Sequence, residues 1–208
     1  MAASTCINSA KPSDRVVRIS RRGLLALLMQ LMTPRLVVAA ESGCESLEYR
    51  AGQLRWPGGS APAAVGRGGV RANKKEGDGA TPAGIYPLIF GFYREDRIKP
   101  PPSRLPMRVL APHDAWVDDP TDARYNSLVT LPYPARTERM WRNDEIYDVL
   151  IVIGYNIKPV IPGAGSAIFL HIARPNFSAT QGCIAVDRTV LLNLIPLLAP
   201  ESSITIAP

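Results

Sequence analysis

The chain has 208 residues, 46% of them apolar and 20% charged, which suits one sizeable core and leaves little room for a second full domain. Its 20 prolines and 16 glycines exclude a helical bundle and favour short strands joined by many turns. The net charge of +6 is mostly local: residues 1–40 hold six basic groups against Asp14 alone, and the remaining 18 basic and 17 acidic residues give no basic domain that would bind nucleic acid.

Taken in chain order, residues 1–40 predict an export leader. Arg15, Arg18, Arg21 and Arg22 precede an apolar run from Gly23 to Met32, and the small-residue site Val38-Ala39-Ala40 stands before Glu41. Ser20-Arg21-Arg22-Gly23-Leu24-Leu25 also resembles a twin-arginine signal. The apolar run is short for a stable bilayer span. The expected organisation is therefore a leader over 1–40, kept out of the main core, and a folded domain over 41–208 in the periplasm or cell envelope.

Residues 46–65 read as short strands around Ala51-Gly52 and Pro57-Gly58-Gly59. Residues 66–84 are too rich in glycine and charge to be one central element. Residues 85–93 are apolar and aromatic and predict a strand. Residues 95–145, with Pro100-Pro101-Pro102 and many charges, predict a long surface excursion containing a strand at 107–110. Residues 147–155 and 167–173 read as buried strands. Asp187 suits the N-cap of a helix over 188–195, limited by Pro196, and residues 203–206 alternate as a closing strand. The sum is a mostly-β domain, a sandwich or open barrel with one short C-terminal helix.

Two residues suggest chemistry. His171 lies near the end of an apolar strand, and Cys183 follows Gly182 after a short loop, so both can reach one sheet edge. A free thiol is mostly protonated at neutral pH, and an imidazole beside it can take that proton and release a thiolate nucleophile. The imidazolium can then protonate a departing amine. Gly182 lets the backbone turn so that the N–H groups of Gly182 and Cys183 face a developing oxyanion. The plainer alternative, a buried structural thiol beside a core histidine, stays open on these residues alone. His113, in the proline-rich excursion, reads as a surface residue. The glycine run at 66–69 is no phosphate loop, because no Gly-Lys-Ser/Thr follows.

Thr180-Gln181-Gly182-Cys183-Ile184, with His171 upstream on a strand, resembles the signature of the L,D-transpeptidase (YkuD-type) catalytic domain. Gly79-Ala80-Thr81-Pro82-Ala83-Gly84-Ile85-Tyr86 is similar to a second, distant segment of that family. Tyr155-Asn156 and the stretch from Pro162 to His171 are similar to a proteobacterial branch of it. The resemblance covers residues 45–208. It implies the fold of that family, Cys183 as nucleophile, His171 as base, and the Ile172 carbonyl as the group that orients the histidine. It implies no cofactor and no metal. The substrates it implies are peptidoglycan stem peptides, attacked at the carbonyl of the L-centre residue with release of D-alanine. The acceptor it implies is an amine of a second stem peptide or of a lipoprotein. A carboxypeptidase or endopeptidase of the same fold, and a non-catalytic wall-binding domain, are the competing functions. Thr180, Arg174 and Arg142 are candidate substrate-binding residues, with Arg67 a further arginine that could meet a carboxylate, and Trp141 could line or cover the cleft. Ala185 stands where many members carry arginine, and Gln181 where many carry histidine, so the substrate walls differ from theirs. Cys44, near the start of the expected domain, and Cys183 could bond to each other in an oxidising compartment. Their separate settings predict instead a free Cys183 with a lowered pKa, readily alkylated near neutral pH.

Overall fold

The computed structural model describes residues 44–208; the expected leader, its apolar run and the boundary after Ala40 lie outside the described residues. The strands are β1 (Cys44–Arg50), β2 (Gln53–Trp56), β3 (Gly59–Ala64), β4 (Val70–Arg71), β5 (Thr81–Pro82), β6 (Gly84–Tyr93) and β7 (Met107–Val109). They continue as β8 (Asp114–Val117), β9 (Leu128–Thr130), β10 (Thr137–Arg139), β11 (Val149–Ile153), β12 (Phe169–Ile172), β13 (Ile184–Val186) and β14 (Leu198–Ile206). Among the described residues, an α-helix, α1 (Arg188–Leu194), and a 3-10 turn (Ile195–Leu197) precede β14. The domain is mostly β, as the turn-rich sequence requires.

The main sheet runs β11-β12-β13-β3-β2-β1-β14-β6-β7, and a further pairing of β11 with β6 closes it into a barrel. Long β6 makes the closure possible. Its first half pairs with β14, while Leu88 to Tyr93 pair with β11 on the other edge. The β1–β2 hairpin turns on Ala51 and Gly52, with φ of 49° and 80°. Two consecutive positive φ values give the turn twist that matches paired strands.

β11, Val-Leu-Ile-Val-Ile, is buried at all five positions because it separates two cores. Val149, Ile151 and Ile153 join the barrel core with Leu47, Leu170, Ile184, Leu191 and Ile204. Leu150 and Val152 face outward into a second cluster with Phe92, Trp116, Met140, Phe169 and Cys183. Alternation along a strand explains the split, and the uninterrupted apolar run follows from burial on both faces.

The second cluster revises the reading of residues 95–145. They form no mere surface excursion. β10, β8 and β9 make a small antiparallel sheet of their own, and Leu110, Trp116 and Met140 pack against the outer face of the barrel. Ala115, Val117 and Val129 form a third, smaller core on the sheet with Leu131, Tyr133 and Ala135; charge and proline between these short apolar stretches disguise the packing in sequence. His113 is exposed, in keeping with the surface reading.

Helix α1 starts where Asp187 accepts a hydrogen bond from the Thr189 N–H at 2.7 Å, as an N-cap does. Leu191 and Leu194 anchor it to the core. A 3-10 turn with Pro196 ends it one residue earlier than the sequence suggests.

Asp148, just before β11 and only 2% exposed, fixes this arrangement. It accepts hydrogen bonds from Arg97 at 2.7 Å and from Arg188 of α1 at 2.8 Å. Asp148→Ala leaves both guanidiniums against a buried gap. Stability is expected to fall by about 2–4 kcal/mol, read as a lower urea midpoint with an unchanged slope; an unchanged midpoint would count against this anchor.

Candidate active site

β12 and β13 are parallel, with Leu170 opposite Ile184 and His171 opposite Ala185. That register places Cys183 beside Phe169. Phe169 and His171 are two residues apart on β12, so both emerge on the face where the thiol lies. Cys183 and His171 line one cleft of about 530 Å³ between the barrel and the β8–β10 sheet, and they are 7% and 3% exposed.

The turn that carries the cysteine is pinned by hydroxyls. Thr180 donates its hydroxyl to the Cys183 carbonyl at 2.6 Å and accepts the Gly182 N–H at 3.1 Å. Thr81, from the distant Thr-Pro segment, donates to the Gly182 carbonyl at 2.8 Å and accepts the Gly66 N–H at 2.9 Å. Gly182 has φ of 139°, and a Cβ there would meet the Ala80 carbonyl oxygen at 2.8 Å. No side chain fits that position. The second motif seen in the sequence is therefore a brace for the cysteine turn.

These bonds revise two expectations. The Gly182 N–H, expected to face an oxyanion, is taken up by Thr180. The Thr180 hydroxyl, a candidate for binding substrate, is engaged within its own turn. Arg142 and Arg174 both line the cleft. Arg142 is gripped by Asp144 through two hydrogen bonds of 2.8 Å, while Arg174 is exposed at the rim. Arg67 is exposed and is not among the residues lining the cleft. Trp141 is half-buried against the second cluster, with the Arg94 guanidinium 3.4 Å from its ring centroid.

His171 Nδ1 lies 2.9 Å from the Ile172 carbonyl, the orienting group the resemblance implied. A carbonyl only accepts, so Nδ1 carries the proton and Nε2 keeps its lone pair. Burial, helped by Arg174 and Arg142, lowers the His171 pKa from 6.5 to about 4 against the opposing pull of the carbonyl. The Cys183 sulfur donates to the Ala167 carbonyl at 3.2 Å and accepts from the Phe169 N–H at 3.3 Å. Ala167 reaches it from a left-handed backbone with φ of 52°, its own N–H held by Asn126 Oδ1 at 3.1 Å.

Cys183 is a free thiol, as expected. Its pKa is not lowered. Burial, aided by the charge of Glu138, pushes it up to about 12. The expectation of a lowered pKa fails because the thiol sits in the wall, where charge is poorly solvated. At rest both groups are neutral.

Two lining residues that sequence reasoning missed are Glu138 of β10 and Tyr147. Glu138 looks like any charge of a polar stretch, and Tyr147 like the first residue of a strand. Their placement depends on the small sheet folding back, for which no local signal exists. Among the described residues, no cluster of three or more histidine, cysteine or carboxylate side chains could hold a metal ion.

A family profile described as YkuD, the L,D-transpeptidase catalytic domain, matches residues 35–206. No curated protein matches the chain.

Burial of His171 gives a stability signature. The unfolded chain protonates it near 6.5 and the folded chain only near 4, so this contribution is complete above pH 6.5 and is lost as pH falls through that window. Urea unfolding between pH 7 and pH 4 should show stability falling by at most about 1.4 kcal/mol per pH unit from this group, and His171→Gln should remove that part of the slope. An identical slope in the variant would contradict the buried, neutral histidine.

Proposed function

The chain belongs to the YkuD L,D-transpeptidase catalytic domain family, and from that premise we propose that it transfers acyl groups between peptidoglycan stem peptides through a thioester on Cys183. The observation that supports this reading best is the oriented histidine. Nδ1 of His171 is fixed on the Ile172 carbonyl, and its basic nitrogen is left for the thiol on the same cleft wall.

In this reading His171 Nε2 takes the thiol proton as the sulfur attacks the carbonyl of the L-centre residue. Negative charge passes from sulfur to the carbonyl oxygen as the bond forms, so no free thiolate accumulates in the buried wall. The Cys183 N–H serves the oxyanion, since the Gly182 N–H is engaged elsewhere. The imidazolium protonates the departing amine of D-alanine, leaving the thioester. An acceptor amine, on a second stem or a lipoprotein, then attacks and returns its proton through His171, and Cys183 regains its thiol.

The cleft suits an anionic peptide. Lys74, Arg136, Arg139, Arg142 and Arg174 line it against Glu76, Asp118 and Glu138. Arg174 at the rim is the candidate for a stem carboxylate, because guanidinium matches carboxylate geometry. The site of action is the periplasm or cell envelope, reached through the leader at residues 1–40.

Incubating the purified chain with a stem tetrapeptide, with and without an acceptor amine, tests this by mass spectrometry. Released D-alanine with a crosslinked product is expected, with loss of at least about a thousandfold in Cys183→Ala and His171→Ala. Shortened stems alone, with acceptor present, would assign a hydrolase instead. Turnover retained in Cys183→Ala would overturn the thioester.

A further inference from the structure

The Tyr147 side chain borders both candidate catalytic groups. It is 4% exposed. Its ring meets His171 edge-on at 5.3 Å between centroids and Phe169 at 5.8 Å. Its hydroxyl is 2.5 Å from Glu138 Oε1, and Tyr147 packs in the same cluster as Cys183 and lines the same cleft. No step described so far uses either Tyr147 or Glu138.

We propose that Tyr147 is a third catalytic group, the donor that stabilises developing negative charge on the Cys183 sulfur, and that Glu138 is the positioning residue that directs its hydroxyl. This rests on Cys183 as the reactive thiol. It does not rest on the identity of the acyl substrate.

The pair has two hydrogen-bond arrangements. With Glu138 ionised, the Tyr147 O–H donates to Oε1, and only the phenol lone pair faces the sulfur, which favours the thiol. With Glu138 neutral, the acid donates to the phenol oxygen and the phenol O–H turns to the sulfur, which favours the anion. Tyr147 neither gains nor loses a proton in either case. Burial raises the Glu138 pKa, opposed by the Tyr147 hydrogen bond and by Arg142, and brings the second arrangement within reach. The charged and titratable groups around the pair are Arg142, which lies over the Tyr147 ring at 5.5 Å, and Asp118 and Glu76, which act on Glu138. Lys74 acts on Cys183, and His171 lies against the tyrosine ring.

The test is the rate of iodoacetamide alkylation at Cys183 in the full chain between pH 7 and pH 9, followed by peptide mapping so that Cys6 and Cys44 do not contribute. Tyr147→Phe keeps the ring and removes the donor. It should slow alkylation about threefold or more, since a lost hydrogen bond to a charged sulfur lowers the thiolate fraction more than it raises nucleophilicity. Glu138→Gln removes the anion and supplies N–H donors that can turn to the phenol oxygen, and should speed alkylation by a similar factor. In Tyr147→Phe/Glu138→Gln that gain should disappear. A merely structural role loosens the wall and moves both single variants the same way. An unchanged rate in Tyr147→Phe overturns the donor. An equal gain from Glu138→Gln in both backgrounds overturns the coupling, leaving only removal of a charge. If Tyr147→Phe does not fold, an unchanged or slower rate in Glu138→Gln overturns the proposal. A chain that alkylates as described but turns over no stem peptide sinks the acyl-transfer reading and leaves this one standing.

Discussion

Parallel pairing of β12 with β13 sets Leu170 against Ile184, and the site depends on that register. A slip of one residue would send Phe169 and His171 into the barrel core and expose Leu170 and Ile172 in their place. Parallel neighbours need a crossover, and here it is the short segment from Ala173 to Cys183. Such a connection holds its shape only if its polar groups are satisfied. Thr180 and Thr81 do this, bonding the carbonyls of Cys183 and Gly182 and the N–H groups of Gly182 and Gly66. The Ala173 N–H reaches the Val186 carbonyl at 2.7 Å and ties the start of the crossover to the end of β13.

The same burial that makes the register secure also sets the electrostatics. A thiol and an imidazole in the wall of a packed cluster both avoid charge, which moves their pKa values away from each other. At rest neither group carries a charge. In the proposed reaction, activation comes with bond formation, when negative charge leaves the sulfur for an oxygen beside a main-chain N–H. Around this neutral centre the cleft is charged, and the guanidinium at Arg142 is already committed to Asp144. A neutral pair in the wall thus faces a charged cleft.

Closure of the sheet between β6 and β11 links these features to the fold. β11 must present apolar side chains to the barrel and to the cluster that holds Cys183. The packed 95–145 segment supplies the other side of that cluster through Leu110, Trp116 and Met140. It also brings Glu138 to Tyr147. The outer layer is thus a structural part of the cleft, although its sequence has the proline and charge of a surface loop.

Much of this was legible in the sequence by itself. Strands within 85–93, 147–155 and 167–173 and the Asp187 cap follow from local pattern, because alternation and capping act over a few residues; Cys183 with His171 was legible through the family resemblance, since the residues alone also fitted a buried structural thiol. The Thr81 segment could be recognised but not explained. Its partner, the Gly182 carbonyl, lies 101 residues away. Only the tertiary structure decided that the thiol is buried, that its pKa rises, that the Gly182 N–H is spent on Thr180, and that Glu138 and Tyr147 border Cys183 and His171. Each of these depends on which distant surfaces come together, and desolvation in particular belongs to the packed assembly and to no residue taken alone.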